Sequence, residues 1–247
     1  MGFKLVKRLI LLLTPQKLKN YIAQNELSNF KNSFEYALLS YSQEGEDLVL
    51  NRLIDNKSTG FYIDIGAHHP KRFSNTYLFY QKGWSGINID PMPGIMNQFD
   101  EVRPNDINLE LGISNSELEI TYYMFNEPAL NTFCKEEAQK KNGLINYKIV
   151  EERKVKTYPL KYILDNYLDT ETKIDFMTID AEGHDLVVLQ SNDWEKYRPA
   201  LLLVEDLKKQ SLKEFINTSE MYSYLNHLEY SFVAKTFNTL FFKDNRI

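Results

Sequence analysis

Short apolar runs alternate along this chain with stretches in which apolar residues return every three or four positions, the respective signatures of buried strands and amphipathic helices. The first clear helix starts near Ser42, whose hydroxyl suits an N-cap. Glu44, Glu46 and Asp47 follow as first-turn acids, and Leu48, Val49, Leu50, Leu53 and Ile54 supply an apolar face. Residues 61–66 then read as a buried strand, 74–83 as a helix and 86–90 as a second strand stopped by Pro91 and Pro93. A helix to about residue 102 and a third strand over 107–113 come next. The rhythm breaks over 117–158, where strand-like 118–125 and 147–156 flank a polar stretch at 135–143; this predicts an insertion lying over a site. It resumes with a helix at 160–168, a strand at 174–179, a helix at 184–190, a strand at 200–204 and a helix at 220–228. Segments 230–235 and 239–243 predict an antiparallel hairpin turning at Phe237 and Asn238. The pattern is that of an α/β chain with a doubly wound, mostly parallel sheet closed by a C-terminal antiparallel hairpin.

Composition narrows the classes. With 247 residues, 43% hydrophobic, the chain is long enough for one α/β domain, read as 41–247 behind an N-terminal helical extension at 1–40. A formal net charge of −5 without a basic block excludes the electrostatic footprint of a nucleic-acid binder. Cys134 is the only cysteine, which rules out an intrachain disulfide and fits a cytoplasmic, reducing setting. Lys4, Lys7 and Arg8 surround the short apolar run 9–13, far below the ~20 residues of a membrane span. Residues 3–20 therefore read either as a surface helix or as a basic amphipathic segment in peripheral contact with the inner membrane face. Gly2 does not open a myristoylation motif, because position 6 is Val.

The first candidate chemistry follows the first strand. Ligands of open α/β sheets sit beyond the carboxyl ends of the strands, and Asp64-Ile65-Gly66-Ala67 occupies such an end. Gly66 and Ala67 let backbone approach a ligand, Asp64 can accept from an ammonium or order a water, and Asp90 at the next strand end can grip ribose hydroxyls. A nicotinamide cofactor would want three glycines for its pyrophosphate. This loop has one, followed by His68-His69-Pro70-Lys71-Arg72, which favours a cofactor without a pyrophosphate; an ordinary ligand-free turn is the alternative.

Several spaced motifs then resemble the FkbM family of methyltransferases across residues 41–206. They are Tyr41-Ser42-Gln43-Glu44-Gly45-Glu46-Asp47, the segment 61–70 with Ser74-Asn75-Thr76, and Gly83-Trp84-Ser85-Gly86-Ile87-Asn88-Ile89-Asp90-Pro91. Arg103-Pro104-Asn105-Asp106, Ile179-Asp180-Ala181-Glu182-Gly183, Arg198-Pro199 and Val204-Glu205 complete the order. The resemblance implies a Rossmann-like methyltransferase sheet and S-adenosylmethionine as cofactor. It further implies Gln43 and Asn75 at the methionine end, Asp90 at the ribose, Asp106 at the adenine amine and Ser114 nearby.

Methyl transfer to a hydroxyl needs alignment, exclusion of water and a proton acceptor. Candidates gather after two strands expected to be neighbours: Asp180, Glu182, His184 and Asp185 after one, Glu205 and Asp206 after the next. In one reading Asp180, Glu205 and Asp206 hold Mg²⁺ with His184 as base; in the other no metal binds, Glu182 or His184 is the base and Asp180 positions the ligands. His68 and His69 are further polar candidates for the methyl-transfer centre. The expected function is an S-adenosylmethionine-dependent O-methyltransferase acting on a sugar hydroxyl of a nucleotide- or lipid-linked glycan precursor. Tyr122, Tyr123, Phe125, Phe133 and Tyr147 of the insertion are candidates to stack on the sugar, and Lys71, Arg72 and Arg153 to meet acceptor phosphates. Asp180-Ala181-Glu182 also admits a metal-dependent glycosyltransferase, and the fold admits a non-catalytic nucleotide-binding module. A homo-oligomer is the remaining partner expectation.

Overall fold

The computed structural model describes residues 35–169, 171–208 and 210–246. The chain divides into two units, Met1–Leu39 and Ser40–Ile247, and every element below belongs to the second. The helical extension expected before residue 35, with its membrane-facing segment 3–20, lies outside the described residues. Among the described residues no helix is long and apolar enough to cross a membrane.

The elements, in order, are α1 (Glu46–Leu53), β1 (Phe61–Ile65), α2 (Tyr77–Gln81), β2 (Ser85–Ile89), α3 (Ile95–Val102), β3 (Ile107–Leu109), β4 (Gly112–Ile113) and β5 (Leu118–Phe125). They continue with α4 (Lys135–Lys141), β6 (Ile149–Tyr158), α5 (Leu160–Tyr167), β7 (Phe176–Ile179), α6 (Asp185–Gln190) and β8 (Leu201–Glu205). The chain ends with α7 (Leu212–Thr218), α8 (Glu220–His227), β9 (Tyr230–Lys235) and β10 (Thr239–Asp244). The main sheet runs β3-β2-β1-β7-β8-β10-β9. Its first five strands pair in parallel, and β10 lies antiparallel to both β8 and β9. This is the doubly wound sheet with the C-terminal hairpin that the pattern predicts.

The central strands are apolar at nearly every position because both faces are covered. Odd and even positions feed different cores. Ile63, Ile87, Met177, Leu202 and Phe242 pack under α5, α6, α7 and α8, whereas Tyr62, Phe176, Leu203 and Phe241 pack with Leu50, Phe79 and Trp84 from the α1–α2 side. Three layers result, and the carboxyl ends of the parallel strands open on one rim.

Several expectations need correction. The single third strand over 107–113 is two: β3 extends the main sheet, while β4 leaves it to pair with β6 in a second sheet ordered β4-β6-β5. Gly112 permits the crossing, since a Cβ there would lie 2.7 Å from the Phe133 ring and 2.8 Å from Thr157. The polar stretch 135–143 contains α4 rather than loop alone, and α7 is an additional helix. Ser42 and Ser74 still serve helix starts, but from outside the cap position. Ser42 Oγ accepts from the Asp47 amide at 3.2 Å, and Ser74 Oγ from the Tyr77 amide at 3.1 Å, while α1 and α2 begin later than expected.

Beneath the rim lies a closed ionic network. The Arg103 Nε donates to Asp106 at 2.8 Å, and both side chains are fully buried. Asp106 also accepts from Tyr62 Oη at 2.6 Å, Asn88 Nδ2 at 2.9 Å and the Gly86 amide at 2.9 Å. Arg103 in turn donates to Tyr62 Oη and to Thr76 Oγ1, and Thr76 donates to Asp64 at 2.6 Å. Losing one partner of such a pair strands a charge in a dry interior. Arg103→Met should therefore cost about 3–5 kcal/mol of stability, read as a lowered urea midpoint at an unchanged m-value; a loss below ~1 kcal/mol would show that the network is solvated.

Candidate active site

A cavity of about 360 Å³ opens at the carboxyl ends of β1, β2, β7 and β8. Ile65, Gly66, Ile89, Asp90 and Pro91 form one wall; Asp180, Ala181, Glu182 and Glu205 form the other; the 117–158 insertion covers them with Tyr122, Phe133, Lys141 and Tyr147. Residues of 117–158 thus contribute to the lining of this cavity.

The first wall is set by a backbone contact. Gly66 sits at φ +80°, and a Cβ added there would fall 1.7 Å from the Asp180 carbonyl oxygen. Only glycine satisfies both conditions. Its amide donates to Ile89 O at 2.9 Å, and the Asp180 amide donates to Ile65 O at 2.9 Å, so the ends of β1, β2 and β7 are stitched together. Asp90 then holds the following loop, accepting from the His68 amide at 2.9 Å and from the Met92 amide at 2.8 Å. Each carboxylate oxygen retains a lone pair for a further donor. Burial raises Asp90 to about 6, against the pull of those two amides. His68, Phe73 and Glu182 line the cavity with φ in the left-handed region, a conformation that non-glycine residues adopt only when their surroundings impose it.

The second wall is acidic. One carboxylate oxygen from each of Asp180, Glu182 and Glu205 lies within 4.8 Å of the others. Asp180 lines the cavity and is exposed to solvent there. Desolvation by the protein around it, then the charges of Glu182 and Asp185, hold it above the usual carboxylate range. Glu205 is only 7% exposed, and burial followed by the Asp180 charge pushes it up likewise. Its Oε2 has no hydrogen-bond partner among the described residues. Glu182 is paired with Lys141 of α4, and its carbonyl accepts from Thr132 Oγ1 of the insertion at 2.8 Å.

The structure sorts the sequence candidates. Gln43, Gly66, Asp90, Asp180, Glu182 and Glu205 line the cavity. Asn75 borders a smaller adjoining cavity and donates to Thr178 at 3.0 Å. Asp64 is buried below the loop, where burial raises it to about 6, and Ala67 packs on Ile95, Met96 and Phe99. Asp106, expected at the adenine amine, does not line the cavity, and four donors of the buried network occupy its carboxylate. Asp206 does not join Asp180 and Glu205: its oxygens accept from the Lys208 amide and Gln210 Nε2 in its own loop. His184 is the N-cap residue of α6 and does not line the cavity. Its Nε2 lies 3.3 Å from buried Ser114, its ring packs by Phe133, and burial lowers its pKa. Ser114 is thereby a partner of His184 rather than part of the cavity wall. Of the aromatics, Tyr122, Phe133 and Tyr147 line the cavity, while Tyr123 and Phe125 pack around Ala138.

Lys141 and Glu127 are functional neighbours that no motif marks. At the mouth, Arg72 pairs with Glu127 at 2.9 Å and stacks on Phe73, beside a His68 that burial and Arg72 keep neutral with a value of about 4. Arg153, by contrast, pairs with Glu151 on the exposed β6 strand.

The chain matches the Methyltransferase FkbM domain over residues 64–232. A solved FkbM methyltransferase from Methylobacillus flagellatus KT is similar at 11% identity with a TM-score of 0.44, covering 85% of this chain and 46% of that one. The chain therefore spans about half the length of that protein. No curated protein matches this chain. Gly66→Ala should force the β1 and β7 loops apart, costing more than ~2 kcal/mol as a strained backbone plus a clash; equal thermal midpoints for variant and parent would contradict the close passage at Asp180.

Proposed function

This chain belongs to the FkbM methyltransferase family; we propose that it is a methyltransferase and moves a methyl group from S-adenosylmethionine to a hydroxyl oxygen of a sugar in a glycan precursor. The observation that carries this reading is one cavity with Asp90 at a strand end on one side and the carboxylates of Asp180 and Glu205 on the other.

The residues present suit that cofactor. Asp90 has acceptor capacity left for ribose hydroxyls, Gly66 brings bare backbone to the wall, and Ile89, Pro91, Leu111 and Ile113 offer apolar surface for a flat ring. S-adenosylmethionine supplies an electrophilic methyl carbon on a sulfonium and leaves as a neutral thioether. The chain's own residues orient the acceptor, exclude water and take the hydroxyl proton. Asp180 suits that last role: it faces the cavity, and the protein and acids around it hold it above the usual range, making it a stronger base than a free carboxylate. Glu205 lines the cavity beside it, and its Oε2 has no partner among the described residues. Glu182, tied to Lys141, positions the wall, and His184, turned to Ser114, does not line the cavity.

The acceptor reading rests on charge and shape. Arg72 and Lys141 are each paired with an acid, so the cavity presents more carboxylate than free cation and favours an uncharged, hydroxyl-rich group at the methyl centre. Tyr122, Phe133 and Tyr147 give that group aromatic surface to pack on. A phosphate linking the sugar to its nucleotide or lipid carrier would then sit outside, near Lys71 and Arg72. Peripheral membrane contact and a cytoplasmic location belong to the same reading.

Calorimetry with S-adenosylmethionine, then S-adenosylhomocysteine release against a panel of nucleotide sugars, tests it; absence of cofactor binding overturns it. Asp90→Ala should weaken cofactor affinity by about 10–100-fold, the loss of hydrogen bonds to a charged acceptor. Because free Asp90 titrates at about 6 and the ribose needs it ionised, affinity should fall as pH drops from 7 to 5, about tenfold per pH unit below its pKa. In Asp90→Asn that slope should vanish.

A further inference from the structure

We propose that Asp180, Glu182 and Glu205 form a binding site for a hard divalent cation, and that Lys141 of the insertion is an internal cation competing with it for Glu182. The site is built by the sheet. β7 and β8 are parallel neighbours, with Ile179 in register with Val204, so Asp180 and Glu205 emerge side by side from adjacent strand ends. Glu182 is brought to the same point by its left-handed backbone and by Thr132, which holds its carbonyl from the insertion. Oxygens within 4.8 Å of one another can all reach a single ion at the ~2.0–2.6 Å distances of Mg²⁺, Mn²⁺ or Ca²⁺. Carboxylate donors without thiol or imidazole select hard cations of this kind.

A cluster of acids alone would not identify a site; Glu205 adds the independent observation. It is more than nine-tenths buried, its Oε2 has no hydrogen-bond partner among the described residues, and its carboxylate lies within 4.8 Å of oxygens of Asp180 and Glu182. Leaving a buried carboxylate oxygen unmatched is costly, and Lys141, the ammonium at the cluster among the described residues, is already taken by Glu182. A divalent cation matches the unmatched oxygen and offsets the mutual repulsion of the three acids together. Beside Asp180 and Glu205 a second cavity of about 20 Å³, bordered by Gln43 and Asn238, is large enough for a single water. Ions of this class keep several waters when protein supplies few ligands. Lys141 reaches Glu182 from α4 and so places a positive charge against the site; ion binding must draw Glu182 away from it.

The experiment uses the full chain at pH 7.5 with neither S-adenosylmethionine nor acceptor, measuring Mn²⁺ uptake from the free-ion electron paramagnetic resonance signal, with Mg²⁺ and Ca²⁺ as competitors. One saturable Mn²⁺ per chain is expected. Glu205→Gln and Asp180→Asn should each weaken uptake more than tenfold, Asp206→Asn should change it less than twofold, and Lys141→Met should tighten it at least threefold. No saturable uptake by the parent, or parental affinity in both Glu205→Gln and Asp180→Asn, overturns the site and leaves a carboxyl pair sharing a proton. Unchanged affinity in Lys141→Met overturns the competition. Thermal midpoints identify any variant that fails to fold, the other acid variant then deciding. Cofactor calorimetry on the parent reports separately on the methyltransferase reading, which neither requires nor is refuted by Mn²⁺ uptake.

Discussion

At Gly66 two strand ends pass so closely that a methyl group would overlap the Asp180 carbonyl, and everything else at the site depends on that passage. Asp90 follows β2 and Asp180 follows β7, the two strands that flank β1, and both ends are joined to the end of β1 backbone to backbone rather than through side chains. A cofactor-side acid and a chemistry-side acid are therefore kept in one cavity by elements as rigid as the sheet itself. The left-handed residues His68, Phe73 and Glu182 around the same cavity show where the chain departs from its preferred backbone to keep the walls in place.

The parallel sheet supplies the acids, but the insertion sets their environment. Its second sheet, built on β6, covers the rim with aromatic rings. It also grips the opposite wall at two points, through Thr132 on the Glu182 carbonyl and Lys141 on the Glu182 carboxylate. At the mouth Glu127 meets Arg72. These ties make the insertion part of the electrostatics of the site: without it, Glu182 would lose its counterion and the three acids would face solvent. The buried Arg103–Asp106 pair plays the matching part below the floor, linking β1, β2 and the α2 start through Tyr62, Asn88 and Thr76.

Much of the architecture can be read from local pattern. The central strands announce themselves because burial on both faces makes them continuous apolar runs, and the hairpin turn at Phe237 and Asn238 falls where the alternation reverses. The third strand does not, since β3 and β4 are both apolar and nothing local says that the chain changes sheets between them. α4 is hidden by its polar composition. α7 carried a readable signal, the capping box of Ser211 with Glu214, that the apolar pattern alone does not reveal.

By itself the sequence determined the order of the central strands and most of their helices, the presence of a glycine after β1 and the presence of acids at the ends of β2, β7 and β8. Each of these depends on residue type and on position within one element. Only the tertiary structure decided which polar groups are free to act. Asp90 and Asp106 both lie close to β2 in the sheet, yet one keeps open lone pairs in the cavity while the other is saturated by donors from Tyr62, Gly86, Asn88 and Arg103. Glu182 rather than Asp206 joins Asp180 and Glu205, and His184 turns to Ser114 instead of the cavity. A side chain's chemistry is set by the donors and charges that reach it, and here those arrive from segments far away in the chain, where no local pattern records them.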